Sequence, residues 1–338
     1  MLARSDPDPS LLDAPRAADF VRLRADFGKR FLLVVDTEEE FDWSAPFNRA
    51  STQVTALAGM ARGQAYFEQA QVRPLYVTDY PVVTHPAARE MMAGWVANGT
   101  ADIGAHLHPW VNPPHEEMVS DANSYAGSLP EELERAKLTL LRDTITEAFG
   151  RQPIAYRAGR YGIGPNSGRI LTELGFRVDT SVRSRFGYHR QYGPDFRRMP
   201  LRPWLTGPGR SLVELPLSTA YLGRLRGMGD WLFPPAEAHR LATGALSRLG
   251  LIRRVPLTPE GVGTEDACAA IDALLADGQA LLLFSFHSPT LEPGHTPYVR
   301  SSADLEAFYA WWDTVLNHLA RRDVSPASLD EVLVAIEG

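Results

Sequence analysis

Apolar residues occur along this chain in two kinds of run. Residues 31–35 (FLLVV) and 280–286 (ALLLFSF) show no polar alternation apart from Ser285, the pattern of a strand covered on both faces as in a parallel sheet. Shorter runs at 74–78 (PLYVT), 101–105 (ADIGA), 154–157, 176–181 and 212–217 (LVELPL) read as further strands. Between them apolar positions recur at helical spacing: Leu57, Met60, Tyr66 and Phe67 within 52–71, Met91, Met92, Trp95 and Val96 within 86–98, and Leu133, Leu138, Leu141, Ile145 and Phe149 within 130–149. Helices are also predicted over 166–174, 264–277 and 305–319, the last with Phe308, Trp311, Trp312 and Leu316 as its inward stripe. This steady β-then-α alternation predicts an α/β fold, with parallel strands in a barrel or a doubly wound sheet and one functional face. Residues 1–30 read as a polar arm with a short helix. Residues 31–338 read as one large domain, whose rhythm is broken by an elaborated loop and helical insertion over about 183–263.

Parallel α/β folds place their chemistry where strands end. Directly after the first apolar run come Asp36, Glu38, Glu39, Glu40 and Asp42, five carboxylates within seven residues. Successive residues of an extended chain face opposite ways, so Asp36, Glu38 and Glu40 share one side and Glu39 takes the other. Two same-facing carboxylates about 7 Å apart suit a metal ligand beside a general base. The strand at 101–105 runs into His106 and His108, which by the same argument share a face. Two histidines and one carboxylate make three protein ligands and leave a fourth position for a water, whose pKa a zinc ion lowers to about 7. The 280–286 run ends in His287. The plain alternatives are a solvated acidic loop, two unrelated histidines with one packing on Trp110, and a structural His287.

Composition narrows the field. A chain of 338 residues with 44% hydrophobic content can bury a large core, and 34 basic against 41 acidic residues give a net charge of -7. Such a balance does not predict nucleic-acid binding. The single cysteine, Cys268, excludes an internal disulfide and a cysteine-based metal site. Residues 1–20 lack the apolar core of a secretory signal, and no stretch reaches the roughly 18 apolar residues of a membrane span. The expected location is therefore the cytoplasm. The arginines at 183, 185, 190, 197, 198, 202 and 210 contrast with the acidic whole and suit either a solvated loop or an anionic substrate.

Taken together, the acid-rich strand exit, the Ile-Gly-x-His exit ending at His106, the Arg157-to-Gly162 turn and the Phe-x-His exit ending at His287 resemble the polysaccharide deacetylases with NodB homology, carbohydrate esterase family four. DTEEEFDW and HLHPW are similar to motifs of its WalW-like branch, associated with cell-surface polysaccharide or lipopolysaccharide loci. The resemblance runs from about residue 31 to 287. It implies a distorted (β/α)7-type barrel and metal-dependent removal of an N-acetyl group from a sugar. Asp36 then matches the catalytic base, Arg157 the arginine that holds it, with Arg160 a second candidate, and His287 the general acid. Glu38, His106 and His108 match the ligands of one divalent metal, zinc by preference. The family pattern has adjacent acids and histidines four apart, so Glu39, Glu40 or His115 are alternatives in that set. Asp179 lies near the motif that tunes the acid histidine. Trp43, Trp110, Tyr161 and Tyr298 are candidates for sugar stacking or the acetyl pocket, Arg160 is a further substrate-binding candidate, and a backbone N–H near Tyr161 or Gly162 suits the oxyanion. The substrate would be a carbohydrate, nucleotide- or lipid-linked if the arginines bind it. A degenerate sugar-binding barrel, an amidohydrolase acting on a small non-sugar amide and a two-carboxylate glycoside hydrolase remain alternatives.

Overall fold

The structure, a computed structural model, describes residues 9–237 and 240–337. Besides a two-residue antiparallel pair, Arg22–Leu23 with Ile336–Glu337, its strands are β1 (Lys29–Thr37), β2 (Leu75–Thr78), β3 (Asp102–Leu107), β4 (Ala155–Ala158), β5 (Val178–Asp179), β6 (Trp204–Thr206), β7 (Leu212–Glu214), β8 (Thr219–Leu222), β9 (Arg253–Pro256), β10 (Leu281–His287) and β11 (Val324–Pro326). Seven of them run parallel in the spatial order β10-β1-β2-β3-β4-β5-β7, β6 adds antiparallel to β7, and β11 pairs with the start of β1. Two edges remain, at β10 and beyond β7. They are bridged by the segment that carries the antiparallel pair β8–β9: Leu283 N–H donates to Ser218 Oγ at 2.9 Å and Ser285 N–H to the Leu257 carbonyl at 3.2 Å. The predicted α/β barrel is thus a curled sheet of mostly parallel strands, joined across its gap by isolated hydrogen bonds.

Strand alternation decides what lies inside the curl. Leu32 and Val34 of β1, Leu75 and Val77 of β2, Ala155 of β4 and Leu281 and Leu283 of β10 pack together within it, with Leu329 and Val332 of the helix Leu329–Ala335 in the same cluster. Phe31, Leu33, Val35, Ile103, Ala105, Tyr156, Phe284 and Phe286 face outward, in the core shared with Phe67, Met92, Leu141 and Trp312 of the surrounding helices. Period-two continuation therefore carries Asp36, His106, Arg157 and His287 inward at the sheet's carboxyl end. Gly104 marks how narrow this interior is, since a Cβ there would lie 2.9 Å from both the Ala155 carbonyl oxygen and Val77 Cγ1.

Helix predictions fall close to the helices Leu57–Gln69, Pro86–Ala97, Glu131–Phe149, Ser167–Glu173, Thr264–Ala276 and Ser302–Arg321. The amino-terminal arm differs. In place of a short helix it holds two 3-10 turns, Ala17–Asp19 and Ala25–Phe27, around the two-residue strand Arg22–Leu23. Its side chains explain the change: Val21 and Phe27 drop into the inner cluster, a spacing no single helical face supplies. The predicted strand at 176–181 shortens to Val178–Asp179, because Thr180 and Ser181 turn their polar groups toward Arg157 and Asp179. Within 183–263, Leu212–Glu214 joins the central sheet parallel to β5, and the helices Gly229–Glu237 and Arg240–Arg248 lie between β8 and β9.

Candidate active site

Neighbouring strands deliver the inward residues to one mouth. His287 is registered beside Asp36, and His106 beside Arg157. Asp36 is 3% exposed and accepts from Arg157 Nη1 at 2.5 Å. The guanidinium is fully buried and fixed from behind: Nε donates to the Thr180 carbonyl at 3.0 Å and Nη2 to Thr180 Oγ1 at 3.1 Å. Burial alone would raise the Asp36 carboxyl, but Arg157, helped by the charge of His287, holds it below its ordinary value. Of the two arginines considered, Arg157 is thus the one bound to Asp36, and Arg160 makes no contact with it among the described residues.

His287 lies on the other side of Asp36, with Nε2 3.8 Å from Asp36 Oδ2. Its Nδ1 donates to Glu260 Oε2 at 2.7 Å, and its backbone N–H donates to Glu260 Oε1 at 3.0 Å. Burial would lower this imidazole, yet the charges of Glu260, Glu38 and Asp36 raise it to about 10. Glu260, itself held by Thr290 Oγ1 at 2.6 Å, is the partner that sequence reasoning missed. Asp179 has no part in it, because its carboxylate is bound to Ser181 and lies against Glu214.

Beside this pair is a three-donor cluster. His106 Nδ1 donates to the Arg157 carbonyl at 3.0 Å, and His108 Nδ1 donates to Glu39 Oε2 at 2.8 Å. A carbonyl oxygen only accepts, so the first bond fixes the His106 tautomer and leaves its Nε2 lone pair free. Both Nε2 atoms then converge on Glu38 Oε2, each at 3.4 Å, while Glu38 Oε1 is buried without a hydrogen-bond partner among the described residues. Burial lowers both imidazoles, His108 to about 4, so both are neutral at pH 7. Neutral imidazoles, a carboxylate with an unmet oxygen and outer partners that orient each ring are what a divalent cation requires. The donor atoms of Glu38, His106 and His108 lie within 4.8 Å of one another. The residues fit the ion.

Other carboxylates of the acidic run have different duties. Glu39 accepts from Trp110 Nε1 at 2.9 Å as well as from His108, and its own N–H donates to Asp79 Oδ2 at 2.8 Å. Burial raises Glu39 to about 8 and Asp79 well above its ordinary value. Glu40, expected to share the face of Asp36, instead accepts from the N–H groups of Thr55 and Ala56 just before the helix Leu57–Gln69. Asp42 binds Ser44 in an exposed turn. His115 is exposed and away from the cluster. The chain turns at Pro109, which corrects the reading of Trp110. It is 1% exposed, stacked on His108 with ring centres 4.2 Å apart, and supports the ring from behind, outside the cavity lining.

These groups open into a cavity of about 300 Å³. Phe41, Trp43, Phe47, Tyr125, Tyr161, Tyr188 and Tyr298 form its aromatic walls, with Arg160 and Arg183 among them. Trp43 meets the His287 ring edge-on at 4.9 Å and Tyr298 at 5.7 Å. Arg160 and Tyr161 have φ of 55° and 61°, a left-handed backbone that side chains with a Cβ adopt only under constraint. The turn is held where Gly162 N–H donates to the Gly159 carbonyl at 3.0 Å. Lys137 secures the loop beyond His108: its buried ammonium donates to the carbonyls of Pro109, Asn112 and Pro114 at 2.9, 2.6 and 2.7 Å and lies 3.1 Å from Glu117. Its place in an amphipathic helix gave no sign of this.

No family model and no curated protein matches the sequence. Solved structures do match the fold. The chain is similar to the 4-α-glucanotransferase of Thermococcus litoralis at TM-score 0.51 and 10% identity, over 92% of this chain and 41% of that one. It is also similar to a branching enzyme of Thermococcus kodakaraensis at TM-score 0.50 and 13% identity, over 92% and 72%. A provisionally named polysaccharide deacetylase of Mycobacterium smegmatis aligns over 95% of this chain and 98% of its own, at TM-score 0.47 and 18% identity.

Proposed function

We propose that this chain is a metal-dependent hydrolase that removes an N-acetyl group from a sugar of a cell-surface polysaccharide or its precursor. One observation carries the reading. Asp36 and His287 stand 3.8 Å apart with opposite partners, Arg157 and Glu260, and border a cluster of three lone-pair donors at the mouth of one cavity. The partners set opposite protonation states at pH 7, a base without its proton and an acid with one.

Glu38, His106 and His108 would hold the ion, which when bound supplies Lewis acidity to the amide carbonyl and lowers the pKa of water. Asp36 takes the proton of the attacking water as its oxygen adds to the acetamide carbon. Arg157 keeps the carboxylate aimed, because a guanidinium fixed by Thr180 cannot swing with it. The Gly162 N–H is committed to Gly159, so the Tyr161 N–H is the backbone donor assigned to the oxyanion. His287 Nε2 then gives its proton to the amine as the C–N bond breaks, releasing acetate and the free amino sugar. Trp43 and Tyr298 flank the sugar ring at the rim, and the cavity's aromatic walls limit water around the acetyl group.

The test is metal analysis of protein purified without added metal, followed by acetate release from N-acetyl sugars before and after chelation. The expected result is about one equivalent of a divalent ion per chain, with activity lost on chelation and restored on re-addition. A loaded protein that releases acetate from no N-acetyl sugar overturns the reading.

A further inference from the structure

The arginines of residues 183–210 do not share one role. Arg185 binds Asp230 at 3.0 Å, Arg197 binds Asp195 at 2.6 Å, and Arg210 binds Asp19 at 2.6 Å. Arg183 forms no ion pair with a carboxylate among the described residues. Its Nη1 donates to the Tyr188 hydroxyl at 3.2 Å, its guanidinium lies 4.0 Å from the Phe186 ring centre and 5.2 Å from that of Tyr161, and its Nε is shielded with no hydrogen-bond partner among the described residues. Arg160 also faces the cavity without a carboxylate partner among the described residues. It stacks 4.2 Å from the Tyr125 ring centre and 4.9 Å from that of Phe47, and donates to Ser124 and to Gln191 Oε1.

Matching charges within the cavity makes the excess plain. Among the described residues Arg157 is paired with Asp36 and His287 with Glu260, which leaves Arg160 and Arg183 with Glu38, the carboxylate of the metal cluster, as the remaining acid of the cavity lining. Arg183 and Arg160 are half-buried and line the cavity, so an anion held there meets their charge with little water between. Aromatic stacking satisfies the flat face of a guanidinium and leaves its edge donors for an oxyanion, which two N–H groups can grip together. The cavity, at about 300 Å³, lies at the small end of ligand sites, so an anion bound here belongs to the same sugar unit as the acetyl group.

We propose that Arg183, with Arg160 beside it, is an oxyanion subsite, and that the substrate is an N-acetylated amino sugar bearing a phosphate or carboxylate on the same unit. The N-acetyl part of this statement rests on the function proposed above, whereas the anion subsite does not. Acetate release by metal-loaded protein is compared for N-acetylglucosamine, N-acetylglucosamine 6-phosphate and N-acetylmuramic acid, which are neutral, phosphorylated and carboxylated. Equilibrium binding of the same three is followed by calorimetry, which needs no turnover. The wild-type protein is expected to favour one charged sugar over the neutral one by at least tenfold in kcat/KM, chiefly through KM, and which charged sugar wins identifies the anion. Arg183→Gln is expected to remove that preference, Arg183→Lys to keep part of it, and Arg160→Gln to weaken it.

A wild-type protein that handles the neutral sugar as well as both charged ones overturns the subsite, and so does a preference unchanged in a folded Arg183→Gln. Should no sugar release acetate, the hydrolase reading fails and calorimetry decides the subsite. Tighter binding of a charged sugar that Arg183→Gln abolishes upholds it, and equal binding of all three overturns it.

Discussion

Glu260 Oε2 lies 2.7 Å from His287 Nδ1, and its second oxygen receives the backbone N–H of the same histidine. One carboxylate thus fixes the ring's tautomer, its orientation and its charge, leaving Nε2 as the proton-bearing atom toward Asp36. This makes Glu260 a positioning residue for the general acid.

The pH profile follows with a definite sign. Activity requires His287 protonated, and its raised value of about 10 places the alkaline limb of kcat/KM there. Glu260→Gln removes the largest raising influence while the lowering effect of burial stays, so the limb moves down by roughly 1–3 units. Loss of rate is then greatest above pH 8, with KM nearly unchanged. An alkaline limb that stays in place in a folded variant would remove Glu260 from this role.

Asp36 and Arg157 depend on each other more severely, since both are almost completely buried. Asp36→Asn removes the base and is expected to lower kcat by about 10²–10⁴-fold while the fold and bound metal persist. Arg157→Met leaves the Asp36 charge buried without its main partner, an imbalance that costs on the order of 3–5 kcal/mol. The freed carboxyl is also raised by its burial, so the base ionises later and the acid limb of the rate profile moves upward. Denaturant unfolding and the pH profile of whatever activity remains measure both effects. A variant as stable as wild type with an unmoved acid limb contradicts the argument.

Much of this centre was legible in the chain because the inner face follows a period of two. Once residues 31–35 and 280–286 are strands, Asp36 and His287 fall on the face of Val34 and Ser285, and His106 and His108 share a side. Partners drawn from loops were not legible. Glu260 sits in an irregular segment where no periodicity marks a carboxylate, and it reaches His287 only because β9 brings that segment beside β10. Trp110 was misplaced because a turn at Pro109, not a continuing strand, sets its direction. Glu40 left the expected face for a similar reason, since the chain beyond β1 bends and Glu40 accepts from the N–H groups of Thr55 and Ala56 ahead of a helix. Arg183 could not be told from Arg185 or Arg197 by residue type. Only the folded chain distinguishes an arginine with an aspartate from one without.

Glu39 tests whether the three-donor cluster is built for a cation. It touches no predicted donor atom of that cluster and acts through His108 Nδ1, with Trp110 completing its other oxygen. Outer partners of this kind typically tune affinity by about 10–100-fold. Glu39→Gln is therefore expected to weaken metal binding by that factor in a competitive chelator titration, whereas His106→Ala and His108→Ala abolish stoichiometric binding. Equal affinity in wild type and Glu39→Gln would show that the Glu39 contact is packing only.

Gly159 tests the seat of His108 without altering any donor. A Cβ added there would lie 2.3 Å from His108 Cδ2, 2.7 Å from the Leu107 carbonyl oxygen and 3.0 Å from His108 Nε2. The backbone oxygen cannot yield, and the imidazole is pinned on its far side by Glu39 and stacked on Trp110. Something must shift, and the ring edge that carries the ligand nitrogen is the nearest part. Gly159→Ala is accordingly expected to cost about 1–3 kcal/mol of stability as an overpacked site. It should also displace His108 Nε2 from Glu38, so metal is lost although Glu38, His106 and His108 are all still present. Thermal unfolding with and without added metal separates the two effects, because a ligand that binds only the folded state raises its midpoint. The wild-type midpoint is expected to rise on metal addition and that of Gly159→Ala to stay flat. A variant whose midpoint rises as much as wild type would mean that the added methyl is absorbed elsewhere and that Gly159 does not set the position of the histidine.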